Sequence, residues 1–214
     1  VDYQRYVLDR IDGAVSVLYE YELGMRRALG PERSAYGGIP IDLTAFEPVK
    51  LSPTIDKVKL FLGRDRYRMP MKGTDMLEEA AREAIARHPD RAQLTIVENK
   101  PYKEFISLMR SSHVVMDQIY SYTPATTALM AMAYGLNVIS GAEPEYYDYI
   151  NESSLRPIIN APTDMPGLIA TIEETITHPE LIAERGRQSR LFVEKHNDCN
   201  IVAQRFLDFW MSRL

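Results

Sequence analysis

Apolar and polar positions divide the chain into short elements that alternate in type. Tyr3, Tyr6, Val7 and Ile11 recur at helical spacing, so the pattern predicts a helix over 1–11, and a second over 20–29 that stops at Gly30-Pro31. Between them, 14–18 reads as a short apolar strand. Gly37, Gly38 and Pro40 make 36–41 extended or turning, and Pro48 and Pro53 mark 43–53 as a linker. A different rhythm starts at Val58. Apolar runs at 58–62, 94–97, 114–116, 137–140 and 158–159 read as buried strands, the first ended by Gly63. Helical stripes separate them. Met76, Ala80, Ala84 and Ile85 line a helix reaching to about 88; Tyr102, Phe105, Ile106 and Met109 line the next; Leu168, Ile169, Ile172 and Ile176 follow Pro166 on another. Asp75 and Glu78 read as a capping pair for the first of these. Two further helices cover about 179–195 and 199–213.

The stretch 120–140, YSYTPATTALMAMAYGLNVIS, organises the rest. A polar loop at 121–124 opens a short helix, 125–134, in which 128–133 are all apolar or small. Pro124 suits a helix start and Gly135 a left-handed stop. A helix with almost no polar face is buried nearly all round, and its free N-terminal amides then point at whatever lies beyond the loop. Such an end attracts anions; the plainer reading is a core helix with a threonine cap.

Strands alternating with helices predict an α/β fold: a Rossmann-like parallel sheet with helices on both faces, preceded by a helical N-terminal remnant. Ligands of such sheets bind outside the carboxyl ends of the strands. That places the loops 63–73, 98–101 and 117–125 around one site.

Composition narrows the class. A chain of 214 residues with 45% hydrophobic and 26% charged residues is ordinary globular material. Its net charge of −5 argues against nucleic acid as a partner. Cys199 is the sole cysteine, which rules out an internal disulfide and fits a reducing, cytoplasmic setting. No apolar run is long enough for a membrane span and no signal peptide is visible. The chain starts at Val1 in the middle of an amphipathic pattern, as a fragment would. His88, His113, His178, His196 and Cys199 lack metal-ligand spacing, and there is neither a G-x-S-x-G elbow nor a P-loop, so no metal or cofactor is expected.

Against this acidic background Arg64, Arg66, Arg68 and Lys72 crowd one strand-end loop. Facing the helix N-terminus they suit a multiply charged anion; alternatively they pair with neighbouring acids on a solvated loop. Two cations and one helix end would hold a diphosphate at micromolar affinity, about −8 kcal/mol. Lys72→Ala is expected to cost affinity and little stability. Asp117, just past the third strand, and Glu143 with Glu145, past the fourth, are weaker candidates at the same mouth.

Taken in order, these motifs resemble the C-terminal, donor-binding half of a GT-B glycosyltransferase of the group 1 (family 4) type. Residues 58–73 are similar to that family's strand, glycine-arginine and later lysine-glycine; 129–140, LMAMAYGLNVIS, resembles its alanine-methionine-alanine helix, glycine and buried strand. Residues 14–46 look like the last N-domain strand and helix with the interdomain crossover, and 182–210 like the two closing helices. The resemblance implies a nucleotide-diphosphate sugar as donor and a glycan or lipid as acceptor, as in polysaccharide biosynthesis. Its phosphates would be held by Lys72-Gly73, by Arg64 or Arg68, and by the amides of Ala125, Thr126 and Thr127. It also implies domains at 1–50 (remnant of the N-terminal domain and crossover), 51–198 (donor-binding) and 199–214 (closing helix). The acceptor domain of the same protein would be the missing partner and the route of any peripheral membrane association. The sequence departs from the family at Tyr122 and Met130, where the family often carries glutamates for the sugar and the ribose, at Pro40, and in one absent strand–helix unit. Asp117 or Glu143 is then expected to serve the sugar, and no catalytic residue is assigned. A non-catalytic nucleotide-binding or interaction module and a flavodoxin-like regulatory domain are the competing readings.

Overall fold

The structure, a computed structural model, describes residues 3–213; the first two residues of the predicted first helix lie outside them. Five parallel strands form the main sheet: β3 (Val58–Arg64), β4 (Ala92–Glu98), β5 (Val114–Met116), β6 (Asn137–Ser140) and β7 (Ile159–Asn160), in the order β4-β3-β5-β6-β7. Their side chains alternate between two cores, as strand geometry requires. Phe61, Val115 and Val138 face one side, where Met109 of α5 (Tyr102–Arg110), α6 (Thr126–Ala133), α7 (Pro144–Tyr149) and Phe192 of α9 (Ile182–His196) cover them. Leu60, Leu62, Val114, Met116 and Ile139 face the other, under α4 (Thr74–Arg87) and α8 (Met165–Thr177). Burial on both faces explains the unbroken apolar runs at 60–62 and 114–116, where alternation would otherwise be expected.

Four local expectations change. Gly63 does not end β3, which pairs with β4 as far as Arg64 opposite Glu98. The loop expected after it holds a short helix, α3 (Met69–Lys72). The last strand is Ile159–Asn160, one residue later than the apolar run suggests. Asp75 and Glu78 form no capping pair: α4 starts after Gly73 without a side-chain cap, and Glu78 binds Arg64 and Arg82 instead. The helix α7 adds an element that the pattern signalled only through Pro144 and its flanking acids.

Before the main sheet, α1 (Tyr3–Leu8) leads to β1 (Ala14–Ser16), α2 (Tyr19–Leu29) and β2 (Ser34–Tyr36). The two strands pair in parallel as a small separate sheet, so this segment is a strand–helix–strand unit, and β2 falls just ahead of the stretch read as extended. The final helix α10 (Cys199–Met211) returns to lie on it: the Phe206 and Phe209 rings occupy the space a side chain at Gly37 or Gly13 would need. Residues 37–53 run back across the main sheet unit, with Ile41 N–H bonded to the Asn197 carbonyl at 2.7 Å and Val49 N–H to that of Tyr134 at 2.8 Å. Among the described residues no helix is long and apolar enough to cross a membrane.

Candidate functional site at the switch point of the sheet

From β3 the chain moves outward to β4, then returns past β3 to continue through β5. The carboxyl ends of β3 and β5 therefore flank the point where the winding reverses, where such sheets bind ligands. Two loops meet there. Lys72 closes α3, and Gly73 turns the chain at φ 67°, a left-handed conformation that glycine adopts without strain. Ile119 packs over Gly73 where any side chain would collide, and its N–H bonds to the Lys72 carbonyl at 2.8 Å. The loop after β5 is thus docked on the loop after β3.

Asp117 is the hub. Its N–H extends the sheet ladder to the Ile139 carbonyl at 3.0 Å, which fixes its main chain. One carboxylate oxygen accepts from Lys72 Nζ at 2.7 Å, and the other from the N–H of Ala125, the residue capping α6, at 3.3 Å. The Asp117 side chain is 1% exposed and that of Lys72 21%. Asp117, a weaker candidate for the ligand beside the plainer reading of a loop hydrogen bond, bonds Lys72 and one amide of the helix end. The N–H groups of Thr126 and Thr127, in the first turn of α6, make no hydrogen bond to another described residue, and that turn holds no acid. They remain as donors beside the ammonium.

Arg64, expected on the phosphates, is committed elsewhere. Its Nε and Nη2 donate to Glu98 at 2.9 and 2.7 Å and its Nη1 to Glu78 at 2.6 Å. Arg66 takes the other Glu98 oxygen at 2.5 Å. The Arg64 bonds hold the Glu98 carboxyl below its usual range against the opposing effect of burial. So three of the four cations, Arg64, Arg66 and Lys72, hold close carboxylate partners, as the pairing alternative requires. Arg68 stays exposed, and its ion pair among the described residues is a 4.0 Å contact to Asp65.

Beyond Ile119 the mouth opens into a hollow of about 410 Å³, bounded by Ser121, Tyr122, Glu143 and Glu20. Glu143 precedes α7 and accepts from Asn160 at 3.2 Å. Tyr122 is half-exposed, its ring meeting Tyr19 edge-on at 5.8 Å. Glu20, on α2, bonds the hydroxyls of Ser121 and, at 2.9 Å, Thr123. Sequence reasoning missed Glu20, Glu98 and Ile119, because each acts through a partner distant in the chain. A larger hollow, about 720 Å³, lies along α4 and α8, and its lining includes the ion pairs Arg82–Glu78 and Arg87–Glu83. Among the described residues no group of three or more His, Cys, Asp or Glu could hold a metal ion.

This sheet, with its crevice and closing helices, is the C-terminal half of the GT-B glycosyltransferase fold. Solved structures similar to the chain are a mutant of TarM from S. aureus, in complex with fondaparinux, alpha-GlcNAc-glycerol and UDP, and HepE from Anabaena, in complex with UDP and glucose. TarM matches at TM-score 0.72 and 11% identity over 98% of this chain and 46% of its own. HepE matches at 0.69 and 12% over 98% of this chain and 66% of its own. The C-terminal domain of a glycosyl transferase group 1 family protein, LpcC from Francisella tularensis, matches at 0.52 and 19% over 72% of this chain and 97% of that domain. The chain thus spans about half to two thirds of the length of the first two. No protein-family model and no curated protein matches it.

Proposed function

We propose that the chain is the donor-binding half of a glycosyltransferase, acting on a nucleotide-diphosphate sugar. The observation that carries this reading is the Lys72 ammonium set beside the free first-turn amides of α6, at the switch point of the sheet. Positive donors fixed in advance stabilise the negative charge that grows on a diphosphate as its bond to the sugar carbon breaks. The acceptor hydroxyl, on a glycan or lipid, forms the new bond to that carbon, and its proton passes to the departing diphosphate or to solvent. TarM and HepE, whose structures were solved in complex with UDP, support a nucleoside diphosphate as the class of ligand.

Transfer belongs to a longer assembly, because an acceptor must be held beside the donor, and positioning contributes ~7–11 kcal/mol of a barrier. The division into a remnant at 1–50, a donor domain at 51–198 and a returning helix at 199–214 goes with this proposal. So do a cytoplasmic setting and a role in polysaccharide synthesis. In support, α10 leaves Leu207, Trp210 and Met211 exposed, with Trp210 at 55%, an apolar stripe suited to a further domain. Tyr122 and Met130, neutral where the resembling family carries glutamates, favour a second reading as a non-catalytic nucleotide-binding module.

Titration calorimetry with UDP and UMP, with and without chelator, tests the binding claim common to both. UDP is expected to bind tighter than UMP, unchanged by the chelator. Equal affinities, or binding abolished by chelation, would count against the site.

A further inference from the structure

Lys72 has a resident partner, and that partner limits what it does for a ligand. We propose that Asp117 is a positioning residue that aims the Lys72 ammonium and, as a fixed counter-anion, holds down the affinity of the site for diphosphate. The proposal rests on the diphosphate-binding reading.

Three observations carry it. The Asp117 carboxylate is buried, and its bonds among the described residues are those from Lys72 at 2.7 Å and the Ala125 N–H at 3.3 Å. Its main chain is locked into the ladder with Ile139. Lys72 retains partial exposure. Withdrawing Lys72 to serve a phosphate would strand a buried carboxylate without its counter-charge, which is strongly unfavourable. Lys72 therefore keeps its bond to Asp117 while it binds. An ammonium has three N–H donors, so one is spent on Asp117 and two remain. A phosphate meeting those two also feels the Asp117 charge behind them, and at such separations like charges repel across a weakly screened interior. The same carboxylate faces the positive end of α6 and offsets part of its pull on an anion. The device lets the phosphates be recognised in fixed geometry and then released.

Asp117→Asn removes the charge but keeps an oxygen for Ala125 N–H. Asp117→Ser does so with a shorter group and serves if Asn fails to fold. UDP and inorganic pyrophosphate would be titrated into the intact chain and each variant, and release of UDP followed by stopped flow. In parallel, Lys72 acylation by an amine reagent would be read by mass spectrometry. The expected result is binding at least about tenfold tighter in the variants, mostly through slower release, with faster acylation of Lys72. A role limited to holding the fold would give no gain in affinity. Unchanged or weaker binding, with Lys72 acylation raised, overturns the proposal while leaving the site standing. Absence of binding of either ligand to any of the chains overturns the diphosphate reading and this one with it.

Discussion

Lys72 answers two demands at once. It is the donor offered to phosphate and the counter-ion of Asp117, whose side chain is 1% exposed. Its expected mutational behaviour changes accordingly. Read from sequence, Lys72→Ala costs affinity and little stability, since the residue falls between a loop and a helix start. The contact with Asp117 reverses the second half of that expectation. Lys72→Ala should lower stability by about 2 kcal/mol, short of the 3–5 of a fully buried pair because the ammonium is partly solvated. It should also weaken UDP binding by at least about tenfold. Adding Asp117→Ala to Lys72→Ala should return part of the lost stability, as no carboxylate is left unpaired. Chemical denaturation of the single and double variants checks this; a single variant as stable as the parent would mean that the pair is solvated. That the loops carrying Lys72-Gly73 and Ala125–Thr127 meet was legible, because each follows the carboxyl end of a strand in one parallel sheet. The commitment of Arg64 was not, because Glu98 lies one strand away and Glu78 on the following helix, and only the β3–β4 register brings them together.

Among the elements, the loop after α7 is clamped to the end of α9 by charge. Buried Glu152 accepts from Lys195 at 2.6 Å and from His196 Nε2 at 2.8 Å. Burial alone would raise its carboxyl; the bonds from Lys195, His196 and the Leu155 and Ser154 amides overcome that and hold it well below its ordinary 4.5. Burial pulls the His196 imidazole below its ordinary 6.5, and Glu152 offsets this only in part. A neutral His196 donating its Nε2 proton, with Lys195 as the cation, satisfies both directions. Each group binds protons more readily unfolded than folded. Their contribution is therefore complete above pH 6.5 and is lost as pH falls, first through His196 and then, below 4.5, through Glu152. Melting temperatures across pH 3–7 should fall less steeply below 4.5 in Glu152→Gln than in the parent; parallel curves would place the acid sensitivity elsewhere. The strands, buried on both faces, were legible as short apolar runs, as was α6 as an apolar helix. The clamp, the α3 turn and the pairing of β1 with β2 were not, since they depend on partners that no local pattern reveals.

For the whole molecule, the strand order β4-β3-β5-β6-β7 corresponds to 2-1-3-4-5 within the main sheet, the order of flavodoxin-like domains. It also fits a GT-B half with one outer strand–helix unit missing, as the direct passage from 94–97 to the following helix suggested. The likeness to TarM, HepE and LpcC, with α10 crossing back over a separate β1–β2 pair, distinguishes the two. The central claim is that the crevice between β3 and β5 takes the diphosphate. Its most direct test is a titration of isotope-labelled protein with UDP, followed residue by residue by NMR. The amides of Gly73, Ala125, Thr126 and Thr127 should shift together and saturate at micromolar ligand, with smaller changes for UMP. Shifts confined to the groove between α4 and α8, or none in the first turn of α6 at saturation, would contradict it.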